Sequence, residues 1–296
     1  MHASPAARQY CKLCDRRDFD DPRVLAQLRE IAGPGLRESE EIHRKFWEFA
    51  MFGTYLTDAG ALHERTEALA TAAGADATLY WLANRIGRVV ATDIYGQGDF
   101  ADREAAATML TDPGAFAPYP YRDDHLEVRE MNALDLRFPD ASFDLVYSIS
   151  SIEHFGGPAE TARAAREMAR VLRPGGHMLI ATECLLARHV LDVPLVDYAI
   201  RLASRGRRCA TATPRRRALD AFTPRELQRD IVGPSGLELV QPVSYELSPQ
   251  SFDNVIRWGA DGQISQEMED SRPHIVLQGR SAPWTSVFLA LRKPAG

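Results

Sequence analysis

The sequence predicts an α/β protein built on a doubly wound, mostly parallel sheet with an N-terminal helical extension. Two observations carry that expectation. Between residues 66 and 183, short apolar or β-branched runs alternate with helix-patterned segments, and small-residue turns follow the runs. Strands alternating with helices are the signature of βαβ units, and sheets of this kind bind ligands at the carboxyl ends of their strands.

Taken in order, residues 1–65 are polar and helical in pattern and are expected to form a cap. From Ile42 onward Phe46, Trp47, Phe49 and Phe52 recur at helical spacing, which fits a buried helix face better than a substrate box. The core, 66–183, opens with Glu67–Gly74 (EALATAAG), a strand that turns at Gly74. Ala77–Asn84 has good helix formers, with Leu79 and Leu82 on one face. Arg88–Ala91 is β-branched and leads into Thr92 and Asp93. Leu126–Met131 and Phe143–Ile149 read as strands. Ala159–Leu172 is an amphipathic helix with Ala165, Met168 and Leu172 in register and Pro158 at its first turn. Pro174-Gly175-Gly176 reads as a tight turn before a strand at His177–Thr182. An Arg-rich inserted segment, 184–222, carries Arg201, Arg205, Arg207, Arg208, Arg215, Arg216 and Arg217 with no acid among them. It reads as a solvated lid, or as a surface that steers an anionic acceptor or touches a membrane surface. Residues 223–296 supply further αβ elements.

Composition narrows the function classes. The 296 residues are 45% hydrophobic and 26% charged, ordinary for a globular chain, and the net charge of −6 argues against a basic nucleic-acid binder. No apolar run approaches the ~18–20 residues of a membrane span, and the first residues contain no apolar leader core, so a cytoplasmic protein is the expectation. Four cysteines are no disulfide framework. Cys11 and Cys14 form one C-x-x-C, whereas Cys184 and Cys209 form no second pair. His2 and His43 are conceivable further ligands, but the expectation is packing cysteines and no metal site.

The candidate site residues follow the strands. Thr71, Ala72, Ala73, Gly74, Ala75 and Asp76 make a small-residue loop into a helix, where backbone approaches a ligand closely. A plain strand-to-helix turn accounts for the loop equally well. Asp93, with its neighbour Ile94, lies about 20 residues past Gly74, the spacing at which a carboxylate accepts the hydroxyls of a ribose. Alone, such an Asp is more often a turn former. Paired with the first loop it favours a nucleoside, without separating NAD from S-adenosylmethionine. In the third loop Asn132 is placed to bond an adenine edge and the Ala133 N–H another ring nitrogen, and Ser148 ends the next strand beside the ligand.

The run from Met131 to Ser148 (MNALDLRFPDASFDLVYS), followed by Ile152-Glu153-His154, resembles the class I S-adenosylmethionine-dependent methyltransferases of the type 11 kind. Arg170-Val171-Leu172-Arg173-Pro174-Gly175-Gly176 and the strand after it match the same family about 30 residues later. The resemblance implies a seven-stranded Rossmann-like sheet, with a helix at Thr223–Ile231, a sixth strand at Leu237–Tyr245 and a seventh at Thr285–Arg292. It also implies the cofactor S-adenosylmethionine. The family's acidic-x-Gly-x-Gly-x-Gly first loop is here Ala70, Ala72, Gly74 and Asp76, with one glycine left. Ala72 is a mild change if its φ stays negative. Asp76 suits an N-cap and lies where the methionine end of the cofactor would come. Outside the core, Cys11-x-x-Cys14-Asp15, Arg44-Lys45-Phe46-Trp47-Glu48, Ser151-Ile152-Glu153-His154-Phe155-Gly156 and Thr285–Leu289 resemble a bacterial subgroup of the family.

On this reading the chain methylates a small-molecule, sugar or lipid-linked acceptor, at oxygen by expectation. A hydroxyl needs a base: His154 is the first candidate and Glu153 the second, each with packing or loop orientation as its plain alternative. The position after the fourth strand reads Ser-Ile-Ser-Ser rather than the Asn/Asp-Pro-Pro-aromatic element of nucleic-acid amino-methyltransferases, so no nucleic-acid partner is expected. A non-catalytic binding or regulatory protein on the same fold and an NAD-dependent oxidoreductase are the alternatives.

Overall fold

The computed structural model describes residues 8–98, 100–186, 221–258, 264–278 and 282–295. The chain opens with β1 (Lys12–Leu13), α1 (Pro22–Ala32) and α2 (Arg44–Asp58), followed by β2 (Glu67–Thr71), α3 (Ala77–Ala83), β3 (Arg88–Asp93), β4 (Leu126–Glu130), β5 (Phe143–Ile149), α4 (Pro158–Val171) and β6 (Leu172–Leu185). It closes with β7 (Glu238–Leu239), β8 (Val255–Arg257), β9 (Val276–Gln278) and β10 (Pro283–Arg292). The strands form one sheet in the order β4-β3-β2-β5-β6-β10-β9-β8, with β1 and β7 also on β10. β4, β3, β2, β5 and β6 run parallel, as the alternating pattern predicts. β10 is antiparallel to β6 over nine residue pairs, from Trp284 opposite Leu185 to Arg292 opposite His177. The order reverses between β2 and β5, so the crevice of this doubly wound fold opens over their carboxyl ends.

Local chemistry explains the helices. Asp21 caps α1 through its side chain and Pro22 takes the first position. α4 starts at Pro158 and buries Thr161, Ala164, Ala165 and Met168 on one stripe. The aromatic run becomes core: Trp47 and Phe52 are fully buried, and Phe52 packs at 4.7 Å on Tyr147 of β5. Trp47 Nε1 donates to Asp18 at 2.8 Å, which satisfies the indole N–H that burial would otherwise strand.

The sheet departs from the expected seven strands. Ten are present among the described residues, because the N-terminal extension contributes β1 and the C-terminal part contributes β8 and β9. The strand expected at Leu237–Tyr245 is reduced to Glu238–Leu239. Part of the space beside β10 is taken by β1, which also bridges Ser244 through Lys12. Residues 173–176 are no free turn: β6 begins at Leu172, and the register slips between Phe143 opposite Leu172 and Leu145 opposite His177. Gly175, at φ +81°, donates its N–H to Lys293 O, so the extra residues bulge and remain tied to the sheet. The Arg-rich run 201–217 lies outside the described residues.

Removing the Phe52 ring would open a cavity between α2 and the sheet. Phe52→Ala is expected to cost about 3–5 kcal/mol of stability, read by chemical denaturation; a loss below ~1 kcal/mol would show that α2 is only peripherally attached.

Candidate functional site

The parallel strands bring four loops to one edge. Thr71 ends β2, and its hydroxyl donates to Tyr147 O at 3.1 Å, a bond that welds β2 to β5. The backbone then turns through Ala72 at φ +48° and Gly74 at φ +51°. The condition under which Ala72 would be a mild change, a negative φ, is therefore not met. An alanine sits in the left-handed region, at a cost of roughly 1–2 kcal/mol, held there as Ser151 Oγ donates to Ala72 O at 2.8 Å. Ala73 donates its N–H to Thr92 O. At Gly74 the neighbouring backbone leaves no room for a side chain, since a Cβ would lie 2.7 Å from Glu104 O.

Asp93 organises this loop. Its Oδ2 accepts the Gly74 N–H at 2.9 Å and its Oδ1 accepts the Ile94 N–H at 2.7 Å. Each oxygen keeps a lone pair for another donor. Burial pushes the carboxyl up, and the two amides oppose that in part. Tyr95 OH donates to Gly74 O at 2.9 Å and ties the loop from the other side, while Ile94 is exposed. After β4, Met131 N–H donates to Asp93 O, and Asn132 closes a local turn by accepting the Leu134 N–H at 2.8 Å. Asn132 remains exposed with its amide donors uncommitted by that turn, and Ala133 is buried beside it. Ser148, near the end of β5, is buried with no hydrogen-bond partner for its Oγ. Asp76 holds the N-cap position of α3 but makes no capping bond, contrary to expectation. Burial, with Glu48 adding to it, raises its carboxyl to about 8, so near neutrality Asp76 is largely uncharged.

The two candidate bases differ in environment. His154 is exposed, its ring 4.9 Å from that of Phe100. Glu153 is buried. Its Oε2 accepts from Thr182 Oγ1 at 2.7 Å, and its Oε1 has no partner. Burial, reinforced by Glu183 and opposed by Lys45, lifts its carboxyl to about 7.

Next to Glu153 lies a buried charge network that sequence reading did not single out as a site. Arg44, at the start of α2, donates to Glu183 Oε1 at 2.7 Å and to Ser286 Oγ at 3.2 Å. Lys45 Nζ lies 3.1 Å from the same Glu183 oxygen and donates to Ser150 Oγ, while Ser150 and Ser286 both donate to Glu48. Burial alone would raise Glu183, but Arg44 and Lys45 together outweigh it and hold it at about 2. Glu183 Oε2 remains without a partner. The only sequence signal was the Arg-Lys-x-Trp-Glu element of α2, whose partners just after β5 and on β6 and β10 are remote in the chain. Cys11 and Cys14 are buried free thiols, and Cys11 bonds the Ala290 backbone; they are packing cysteines.

Residues 69–180 match the family described as a methyltransferase domain. Among curated proteins, the chain is 46% identical over 54 residues to the probable tRNA methyltransferase 9B of Mus musculus, and 48% identical over 54 residues to the O-methyltransferase resE of Aspergillus sclerotiorum. Each match covers 18% of this chain, but only 12% and 19% of those relatives. Among solved structures, the YcgJ protein of Bacillus subtilis aligns over 82% of this chain and 98% of its own, with 16% identity and a TM-score of 0.46. A geranyl diphosphate methyltransferase in complex with SAM aligns over 96% of each chain, with 15% identity and a TM-score of 0.47. Among the described residues no helix is long and apolar enough to cross a membrane.

Because the folded carboxyl of Glu153 titrates above its unfolded counterpart, the folded state holds its proton more tightly. Its contribution to stability is therefore complete below about pH 4.5 and is lost as pH rises towards about 7. Glu153→Gln is expected to flatten that part of the stability–pH curve; an unchanged slope would place the titration elsewhere. Ala72→Gly is expected to stabilise the chain by about 1 kcal/mol through relief of the left-handed alanine, measured by thermal unfolding.

Proposed function

With residues 69–180 a class I methyltransferase domain, we propose that the chain transfers a methyl group from S-adenosylmethionine to a hydroxyl of a small-molecule, sugar or lipid-linked acceptor. One observation carries the cofactor half. Asp93 reaches the first-loop amide with one oxygen and its own neighbour's amide with the other, yet keeps acceptor capacity for the two hydroxyls of a ribose. The fit extends to Ser148, a buried hydroxyl lacking a partner at the same edge, and to the exposed amide of Asn132. Thr71, Ala72, Ala73 and Gly74 line the loop that meets the methionine end. The neutral form of Asp76 there does not repel a carboxylate, and its ionised form attracts an ammonium.

S-adenosylmethionine supplies an already activated methyl, so the protein's task is alignment, exclusion of water and removal of a proton. Glu153 suits the last task better than His154. Burial lifts its carboxyl to about 7, and its Oε1, buried in this structure, has no hydrogen-bond partner of its own. Thr182 holds the other oxygen and fixes the carboxyl's direction. His154 stands at the exposed rim beside Phe100, placed to orient an entering acceptor. Lys45, held by Glu183 and Ser150, adds a positive field that keeps some of Glu153 ionised. The acidic net charge gives no support to a nucleic-acid acceptor.

Calorimetry on the full chain tests the cofactor half. S-adenosylhomocysteine should bind one per chain, NAD should not, and Asp93→Ala should weaken binding by about 1–3 kcal/mol. NAD binding, or no nucleoside binding at all, would overturn the reading. Once a metabolite screen by mass gain of one methyl supplies an acceptor, Glu153→Gln should lower turnover by about 10²–10⁴ and abolish its rise with pH near 7. Full activity in that variant would return the base to His154.

A further inference from the structure

A second cluster sits just outside the charge network, where α2 begins. His43 is the N-cap residue of α2, and the Lys45 N–H donates to its Nδ1 at 3.1 Å. His274, two residues before β9, bridges it: His274 N–H donates to Ile42 O and Arg44 N–H donates to His274 O, both at 2.8 Å. The two imidazoles lie stacked, with ring centroids 4.0 Å apart and 17° between planes. Glu269, from the short helix Gln266–Asp270, reaches both, with Oε1 3.9 Å from His43 Nε2 and Oε2 3.6 Å from His274 Nε2.

We propose that His43, Glu269 and His274 bind a divalent transition-metal ion of the zinc class. The three side chains offer ligand atoms that all lie within 4.8 Å of one another. Around a tetrahedral zinc with bonds of about 2.0–2.2 Å, neighbouring ligand atoms stand roughly 3.3–3.5 Å apart. On the two histidine–glutamate edges, 3.9 and 3.6 Å, this is a contraction of about 0.1–0.6 Å, and the stacked rings must also turn out of parallel, since each Nε2 lone pair lies in its own ring plane and both must point at one ion.

An independent observation points the same way. His274 is 2% exposed, and neither of its ring nitrogens has a hydrogen-bond partner. An unsatisfied buried polar group of this kind costs about 1–3 kcal/mol, and a metal at Nε2 removes part of that cost. Two imidazoles and one carboxylate suit a borderline ion, and Glu269, half exposed, leaves a fourth position open to water. Two features oppose the ion. Binding through His43 Nε2 moves that ring's proton to Nδ1 and gives up the Lys45 capping bond. That costs about 1 kcal/mol, to be offset by the three metal–ligand bonds. Of the nearby guanidiniums, Arg44 is already paired with Glu183, while Arg272 Nη1 donates to Glu269 O and Ser271 O. Placed here, the ion is a strut. It fastens the end of α2 that carries Arg44 and Lys45 to the segment entering β9, and it stands whether or not the chain transfers methyl groups.

The test uses the full chain, stripped with a chelator and dialysed. Zinc chloride titrated calorimetrically should bind one per chain and raise the melting temperature. Cobalt should give the visible absorption of a tetrahedral ion without the near-ultraviolet band of cobalt–thiolate bonding. Glu269→Gln, at a half-exposed position, and His43→Ala should each weaken zinc binding by at least about tenfold. Absence of saturable binding, a thiolate band assigning the ion to Cys11 and Cys14, or affinity unchanged in both variants would overturn the site.

Discussion

The buried pairing of Arg44 with Glu183 is the constraint on which the rest of this edge depends. The two are 139 residues apart in the chain, largely removed from water, and 2.7 Å from one another. Neither is tolerable there alone: breaking such a pair typically costs 3–5 kcal/mol because the survivor is left charged in a dry site. The pair therefore fixes where α2 begins relative to the ends of β6 and β10. Once that is set, Lys45 falls between Glu183 and Ser150, and Glu48 falls within reach of Ser150 and Ser286. The helix also carries Phe52 onto Tyr147, so apolar burial and the ionic network enforce the same docking.

The network explains why two carboxyls a short distance apart behave differently. Glu183 faces both cations directly and stays ionised, whereas Glu153 meets a threonine hydroxyl and feels Lys45 only at longer range. Burial acts on both, and the partner decides the outcome. An environment that pushes neighbouring acids apart in this way is the usual preparation for proton transfer. On the cofactor side the same economy appears in Asp93, which builds the first loop through Gly74 while keeping lone pairs for a ligand.

Much of the parallel sheet was legible in the sequence because burial on both faces writes strands as apolar runs, and a helix's single buried stripe is visible in Ala165 and Met168. The third-loop run around Asn132 and the Glu153-His154 pair could be singled out as candidates because their spacing is local. What sequence left hidden depends on tertiary placement. Lys12–Leu13 is too short to carry a period, and it becomes a strand only because β10 offers a free edge. The bulge at 173–176 follows from pairing with β5 and Lys293, not from the turn residues alone. Ala72 gave no hint of a left-handed backbone, since nothing in an alanine favours it; Ser151 and Gly74 impose it. Glu183 and His274 read as ordinary polar residues until the fold brings them to the Arg44-Lys45 element.

The most direct measurement is a crystal structure of the full chain grown with S-adenosylhomocysteine. The account requires the ribose hydroxyls on the Asp93 carboxylate, the adenine beside Asn132 and Ala133, and the sulfur turned towards Glu153. The nucleoside bound at any other place, or a carboxyl edge sealed in the presence of saturating ligand, would contradict it.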